Sequence, residues 1–223
     1  MMRFALVPVF AACGSAAQPL AQSQPRGTDA SVPCPTGEAL ARLAGQLAGG
    51  ELVGAAAWPW EPYCVAGQFP MPGWVIKFAE GAERPFVRER SFVVDTSGAV
   101  VARFEREVHS EHTADSPDRD YRVADFDGDG VDEIFATEDW SHMGDYTRTL
   151  RVWRIEGPAW REVLQKQLAS GTDASLDCEA TYAVVAATGG RHRLDVTPKV
   201  SNSERCPRAP ERWVLKGAAF VRE

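Results

Sequence analysis

Short segments in which apolar and polar residues alternate recur along most of this 223-residue chain, with turn residues between them. Residues 73–79 alternate strictly, and residues 86–95 and 99–108 flank the turn Thr96-Ser97-Gly98. A period of two places every second side chain on one face of a β-strand, and a short glycine-containing turn joins two strands into a hairpin. Further segments of this kind are residues 147–155, 160–168, 181–187, 192–197, 212–215 and 219–221. Roughly ten short strands predict an all-β fold, either an antiparallel meander with a propeller-like arrangement or a sandwich.

One segment near the start of this region has helical periodicity instead. Leu40, Leu43 and Leu47 recur at helical spacing within residues 35–47. Thr36 precedes the segment as a candidate N-cap, and two glycines follow it. The sequence therefore predicts a single N-terminal helix whose leucine face packs on the sheet.

The segment from Asp125 to Glu133 carries acids at alternate positions, with Gly130 at the sixth. Side chains at positions 1, 3 and 5 of such a loop converge on one point, and the glycine permits the sharp turn that this requires. A carbonyl at position 7 and a carboxylate at position 9 complete a ring of oxygen atoms. The predicted ligands are Asp125, Asp127, Asp129, Val131 through its carbonyl, and Glu133. A set of hard oxygen ligands favours Ca²⁺, although Asp/Gly turns without a metal are also common.

The residues around this loop distinguish between kinds of calcium site. A helix-loop-helix site requires a glutamate at position 12, where this chain has Ala136. The flanking segments 121–123 and 134–137 are rich in β-branched and aromatic residues, which favours strands. A calcium loop between two strands resembles the FG-GAP/VCBS repeat of integrin-like and bacterial extracytoplasmic proteins. The resemblance covers one copy within residues 121–163, implies calcium binding by the five residues above, and leaves Asp132 pointing outward.

The N-terminus has the features of an export signal. Residues 1–17 combine an early arginine, a short apolar run and small residues, and they predict a signal segment. Either ordinary cleavage follows Ala17 or Ala21, or a lipoprotein signal ends before Cys13 and that cysteine carries a lipid anchor. Residues 18–33 are predicted to form a flexible tether, and residues 34–223 a single β-rich domain.

The other four cysteines also indicate an exported protein: Cys34, Cys64, Cys178 and Cys206. An even number of cysteines in an exported chain predicts disulfides, with three possible connectivities. We expect the two local pairs, Cys34–Cys64 and Cys178–Cys206, because each closes a loop within one region. Zinc is the competing use, but no Cys-x-x-Cys spacing is present.

Charge and motifs limit the function. A net charge of −7 without a basic run argues against a nucleic-acid partner. The leading hypothesis is a non-catalytic, extracytoplasmic protein (a bacterial lipoprotein, periplasmic or secreted) in which calcium is structural. Its role would be adhesion, binding of a protein or glycan, or an envelope scaffold, and it would contact a membrane only through a lipid on Cys13. The alternative is a secreted, calcium-stabilised hydrolase that uses the region of His109 and His112. A third hypothesis is an envelope assembly component that docks through Trp58 and Trp60.

Overall fold

The structure is a computed structural model, and it describes residues 32–49, 62–81, 86–109, 121–142, 144–172, 175–202 and 206–223. The predicted signal segment 1–17 lies outside these residues, as does the predicted tether up to residue 31. Trp58, Trp60 and His112 also lie outside them, and for His109 only the backbone is described.

The predicted helix is present as α1, Gly37–Leu47. Ala44 is fully buried, and Leu40, Leu43 and Leu47 pack against one face of the sheet. Thr36 occupies the N-cap position, but its side chain makes no capping hydrogen bond. Burial of the leucine face, rather than capping, therefore stabilises this helix in place.

The described residues form twelve strands in one sheet. We divide these strands, in chain order, into three groups of four antiparallel strands, called the first, second and third meanders; the last strand of the second also pairs antiparallel with the first strand of the third. The first meander comprises β1 (Tyr63–Gln68), β2 (Pro72–Gly81), β3 (Phe86–Asp95) and β4 (Val100–His109). The second comprises β5 (Arg122–Ala124), β6 (Glu133–His142), β7 (Asp145–Glu156) and β8 (Ala159–Thr172). The third comprises β9 (Ser175–Ala186), β10 (His192–Ser201), β11 (Glu211–Lys216) and β12 (Ala219–Arg222). The prediction of an all-β fold with one helix is confirmed.

Two details differ from the prediction. The strands are more numerous than ten, and β7, β8 and β9 are 12 to 14 residues long rather than short. The sheet is also mixed, since β4 pairs with β8 in parallel through Arg103 and Ala159. The Arg103 N–H donates to the Pro158 carbonyl at 3.2 Å beside this bridge. Such pairing joins residues more than fifty positions apart, so the local hydrophobic pattern does not encode it.

The second meander packs between the other two. Ile134 and Ala136 on one face of β6 belong to a core shared with the first meander, which includes Val75. Phe135 on the opposite face belongs to a core shared with the third meander, which includes Leu194. All three β6 residues are at most 2% exposed, so both faces of the first part of this strand are buried. The acidic loop therefore leads directly into a buried segment of the sheet.

Paired charges cross the contact between the first and second meanders. Glu89 is 1% exposed and forms ion pairs with Lys77 and, at 2.7 Å, with Arg106. Arg106 also pairs with Glu138 of β6. Burial alone would raise the pKa of Glu89, but the charges of Lys77 and Arg106 outweigh it and hold the pKa below its ordinary value. The acid of β3 therefore stays ionised and links two meanders.

Both predicted disulfides are present. Cys34 pairs with Cys64, which ties the segment before α1 to β1, and Cys178 pairs with Cys206, which ties β9 to the segment before β11. The loops they close span 30 and 28 residues. Two disulfides are typical of a chain that folds in an oxidising, extracytoplasmic compartment.

Candidate metal centre

The acidic loop joins β5 to β6 and begins where their pairing ends, at Ala124 and Glu133. Gly128 and Gly130 both have left-handed backbone conformations, with φ of 81° and 85°. A Cβ at Gly130 would meet nothing within 4 Å, so that glycine is required by the backbone conformation and not by lack of space. At Gly128 a Cβ would also meet Arg191 Cγ at 2.7 Å.

Three of the predicted ligands converge. Carboxylate oxygens of Asp125, Asp127 and Glu133 all lie within 4.8 Å of one another. Asp129 is not part of this group, although it shares a cationic partner with Asp127. The Val131 N–H donates to Asp129 Oδ1 at 2.8 Å, and the role of its carbonyl as a ligand stays a prediction. The loop therefore brings three carboxylates together at one place.

Backbone N–H groups hold these carboxylates in place. Asp125 accepts from Gly128 at 2.6 Å through one oxygen and from Gly130 at 2.9 Å through the other. Asp127 Oδ1 accepts from the Asp129 N–H at 3.2 Å. A carboxylate has about four lone-pair positions, so each side chain retains acceptor capacity for a cation. Hydrogen bonds of this kind also form in Asx turns that bind no metal. They show that the side chains are held in position, not that a metal is bound.

Glu133 is the buried member of the set, with 0% exposure. Its Oε2 accepts from the Phe126 N–H at 2.9 Å, whereas its Oε1 makes no hydrogen bond among the described residues and only an ion pair with Arg154 Nε at 3.2 Å. Burial raises the pKa of Glu133 to about 8, against the opposing effects of the Phe126 hydrogen bond and the Arg154 charge. A carboxylate must be deprotonated to bind a metal, so the ion would have to compensate this cost of burial.

Arg154 of β7 lies against the carboxylates, and sequence analysis missed it because the loop motif does not include this position. Its Nη2 lies 2.5 Å from Asp127 Oδ2 and 2.7 Å from Asp129 Oδ2. Its Nη1 donates to the Gly217 carbonyl at 3.1 Å, in the turn between β11 and β12. One signal was available: Leu150 and Val152 precede Arg154 on the same face of β7 and are fully buried. A charged residue at the next position on such a buried face requires ion-pair or hydrogen-bond partners.

The loop is also attached to two other parts of the sheet. The Asp125 carbonyl accepts from both the backbone N–H and Nδ1 of His192, at 3.0 and 2.9 Å. Asp132 turns away from the carboxylate cluster, as expected, but it is half-buried against Gln68 at the end of β1 rather than directed to solvent. Hydrogen bonds therefore attach the loop to both the first and the third meanders.

Comparisons of the chain with models of protein families, with curated proteins and with solved structures found no match. The resemblance of the loop to FG-GAP/VCBS repeats consequently stays a prediction. The described residues include no helix that is both long and apolar enough to cross a membrane. The histidine cluster of the hydrolase alternative and the tryptophans of the docking alternative lie outside the described side chains.

Proposed function

We propose that this chain is a non-catalytic calcium-binding β protein in which one Ca²⁺ stabilises the loop of residues 125–133. The observation that carries the proposal is the convergence of Asp125, Asp127 and Glu133 within 4.8 Å on a loop already ordered by its own N–H groups. We assign Asp129 and the Val131 carbonyl as the remaining ligands, on the basis of their positions in the loop.

Calcium fits the donor set better than the common alternatives. Zn²⁺ and the later transition metals favour nitrogen and sulfur ligands, whereas the converging side chains here are carboxylates. Mg²⁺ requires near-octahedral geometry and keeps several waters, whereas Ca²⁺ accepts six to eight oxygens in flexible arrangements. A loop that mixes carboxylates with a backbone carbonyl suits the latter.

The calcium would be structural. The loop joins β5 to β6, accepts hydrogen bonds from His192 and pairs with Gln68, so an ion there would hold three meanders together. At a free calcium concentration one hundred times the dissociation constant, binding adds about 2.7 kcal/mol to the free energy of unfolding. That is a large fraction of the stability of a typical domain, about 5–15 kcal/mol.

The proposed setting is the bacterial envelope or the extracellular medium, where calcium is abundant and the two disulfides form. Residues 1–17 would direct export, and Cys13 would carry a lipid if the lipoprotein form of processing applies. In that setting we propose a role in binding a protein or glycan ligand, or as a scaffold of the envelope.

Thermal unfolding with and without calcium tests the proposal. We expect the melting temperature of the wild-type protein to rise by about 5–10 °C between excess chelator and saturating calcium. Asp127→Ala should lose most of this rise. Asp145→Ala, which removes an exposed acid at the start of β7, should keep it. A wild-type protein that melts at the same temperature in both conditions would refute the proposal.

A further inference from the structure

Arg154 contacts three of the four carboxylates that we assign to the metal. Its guanidinium reaches Oδ2 of both Asp127 and Asp129, at 2.5 and 2.7 Å, and forms an ion pair with Oε1 of Glu133 at 3.2 Å. The opposite oxygen of each of these carboxylates already accepts a backbone N–H. The three oxygens directed at Arg154 are therefore those most available to a cation.

A guanidinium and Ca²⁺ place different demands on these oxygens. The arginine donates planar hydrogen bonds at ordinary N···O distances, whereas Ca²⁺ requires its oxygens at about 2.3–2.6 Å around a common centre. Two cations directed at one group of carboxylates also repel each other, and the repulsion is larger where burial limits screening. Glu133 is fully buried and Arg154 is 17% exposed, so water screens this part of the centre weakly.

We propose that Arg154 is an internal counter-cation that competes with the metal and sets its affinity. In the state described here the guanidinium neutralises part of the charge of Asp127 and Asp129. On metal binding it withdraws from these oxygens. This inference rests on the proposed function and identifies the residue that regulates it.

The exchange has two consequences. Because only the fraction of molecules with Arg154 withdrawn is competent to bind, the apparent affinity for the metal falls by that fraction. Because Arg154 Nη1 also donates to the Gly217 carbonyl, metal binding is coupled to the turn between β11 and β12. The metal-free loop, for its part, depends on the arginine for stability.

Calcium titration calorimetry and melting curves in chelator, on Arg154→Gln, Arg154→Lys and the wild-type protein, test the inference. Arg148→Gln is the matched control, since Arg148 is a half-exposed arginine of the same strand that pairs with Asp139 of β6. We expect Arg154→Gln to bind Ca²⁺ at least about tenfold more tightly, because the carboxylates lose the charged hydrogen-bonding partner that competes with the ion. Its melting temperature in chelator should fall. Arg154→Lys keeps the charge and should stay within about threefold of the wild-type affinity, and Arg148→Gln should match the wild type in both measurements.

The outcomes separate this inference from the proposed function. If the wild type binds calcium and Arg154→Gln binds with equal or lower affinity, the inference is overturned and the calcium site stands. If the wild type does not bind but Arg154→Gln does, the arginine blocks the site and the inference is supported. If neither protein binds calcium and both fold, the proposed function is overturned, and this inference fails with it. Should Arg154→Gln not fold, Arg154→Lys decides, since an affinity at least tenfold below that of the wild type would contradict simple charge competition.

Discussion

Asp132 and Gln68 exchange two hydrogen bonds that join the acidic loop to the edge of the first meander. The Gln68 N–H donates to Asp132 Oδ2 at 2.6 Å, and the Asp132 N–H donates to the Gln68 carbonyl at 2.5 Å. Tyr63, at the other end of β1, donates through its hydroxyl to the Tyr121 carbonyl at 3.0 Å, beside β5. These bonds dock β1 against the loop-bearing meander, although β1 and β5 are not neighbours in the sheet order.

Asp132→Ala should therefore lower the free energy of unfolding, by about 1–2 kcal/mol, because it leaves the Gln68 N–H without its charged acceptor. Asp132→Asn retains a carbonyl oxygen and should lose about half as much. Chemical denaturation measures both. The control is Asp145→Ala, an exposed acid outside this contact. Equal stability of Asp132→Ala and the control would show that the side-chain hydrogen bond contributes nothing to docking.

The paired charges of Glu89 predict an acid-sensitive contact between the first and second meanders. The pKa of Glu89 is lower in the folded protein than its ordinary value of 4.5, because Lys77 and Arg106 outweigh the effect of burial. A lowered folded-state pKa gives stability that is complete above the unfolded-state value and is lost as the pH falls through the folded-state value. The contribution of Glu89 should thus be full at pH 6 and above, and should decline below pH 4.5.

Glu89→Gln tests this directly by denaturation across pH 3–7. The variant should be less stable than the wild type at neutral pH, by about 3–5 kcal/mol, since it leaves the buried Lys77 without its acid and removes one of the two acids paired with Arg106. The difference should shrink below pH 4.5. Glu105→Gln is the control, because that acid pairs with Arg90 at the surface. A difference between Glu89→Gln and the wild type that stays constant with pH would contradict the assignment.

The disulfide between Cys34 and Cys64 closes a 30-residue loop that contains α1. The double substitution Cys34→Ser/Cys64→Ser should lower stability by about 3–4 kcal/mol, because the unfolded chain regains the entropy of the open loop. The control is the wild-type protein under reducing conditions that leave the fold intact. Its loss of stability should match that of the double variant in proportion to the fraction of molecules in which the Cys34–Cys64 disulfide is reduced. Unchanged denaturation of the double variant would show that helix packing alone holds this segment.

Features set by local sequence were predictable, and features set by contacts between distant strands were not. The hairpin of β3 and β4 follows from alternation on either side of Thr96-Ser97-Gly98, and its observed bounds differ from the prediction by a single residue. Both disulfides followed from the preference for short loops. The parallel bridge of Arg103 with Ala159 has no local signature.

The same distinction between local and distant contacts applies to the candidate site. Asp125, Asp127 and Glu133 converge because a nine-residue loop with left-handed glycines folds back on itself, and this geometry is local. Arg154 lies on another strand, and the pairing of β6 with β7 brings it to the loop. Loop spacing alone does not identify such a partner, nor the attachment of the loop to His192.

The calcium site is tested by a crystal structure of the protein grown with calcium, with anomalous diffraction to locate the ion. We expect one anomalous peak with oxygens of Asp125, Asp127, Asp129 and Glu133 and the Val131 carbonyl at about 2.3–2.6 Å. We also expect that the Arg154 guanidinium has left those carboxylates. Crystals in saturating calcium that show no peak in the loop, with Arg154 still bound to Asp127 and Asp129, would contradict both expectations.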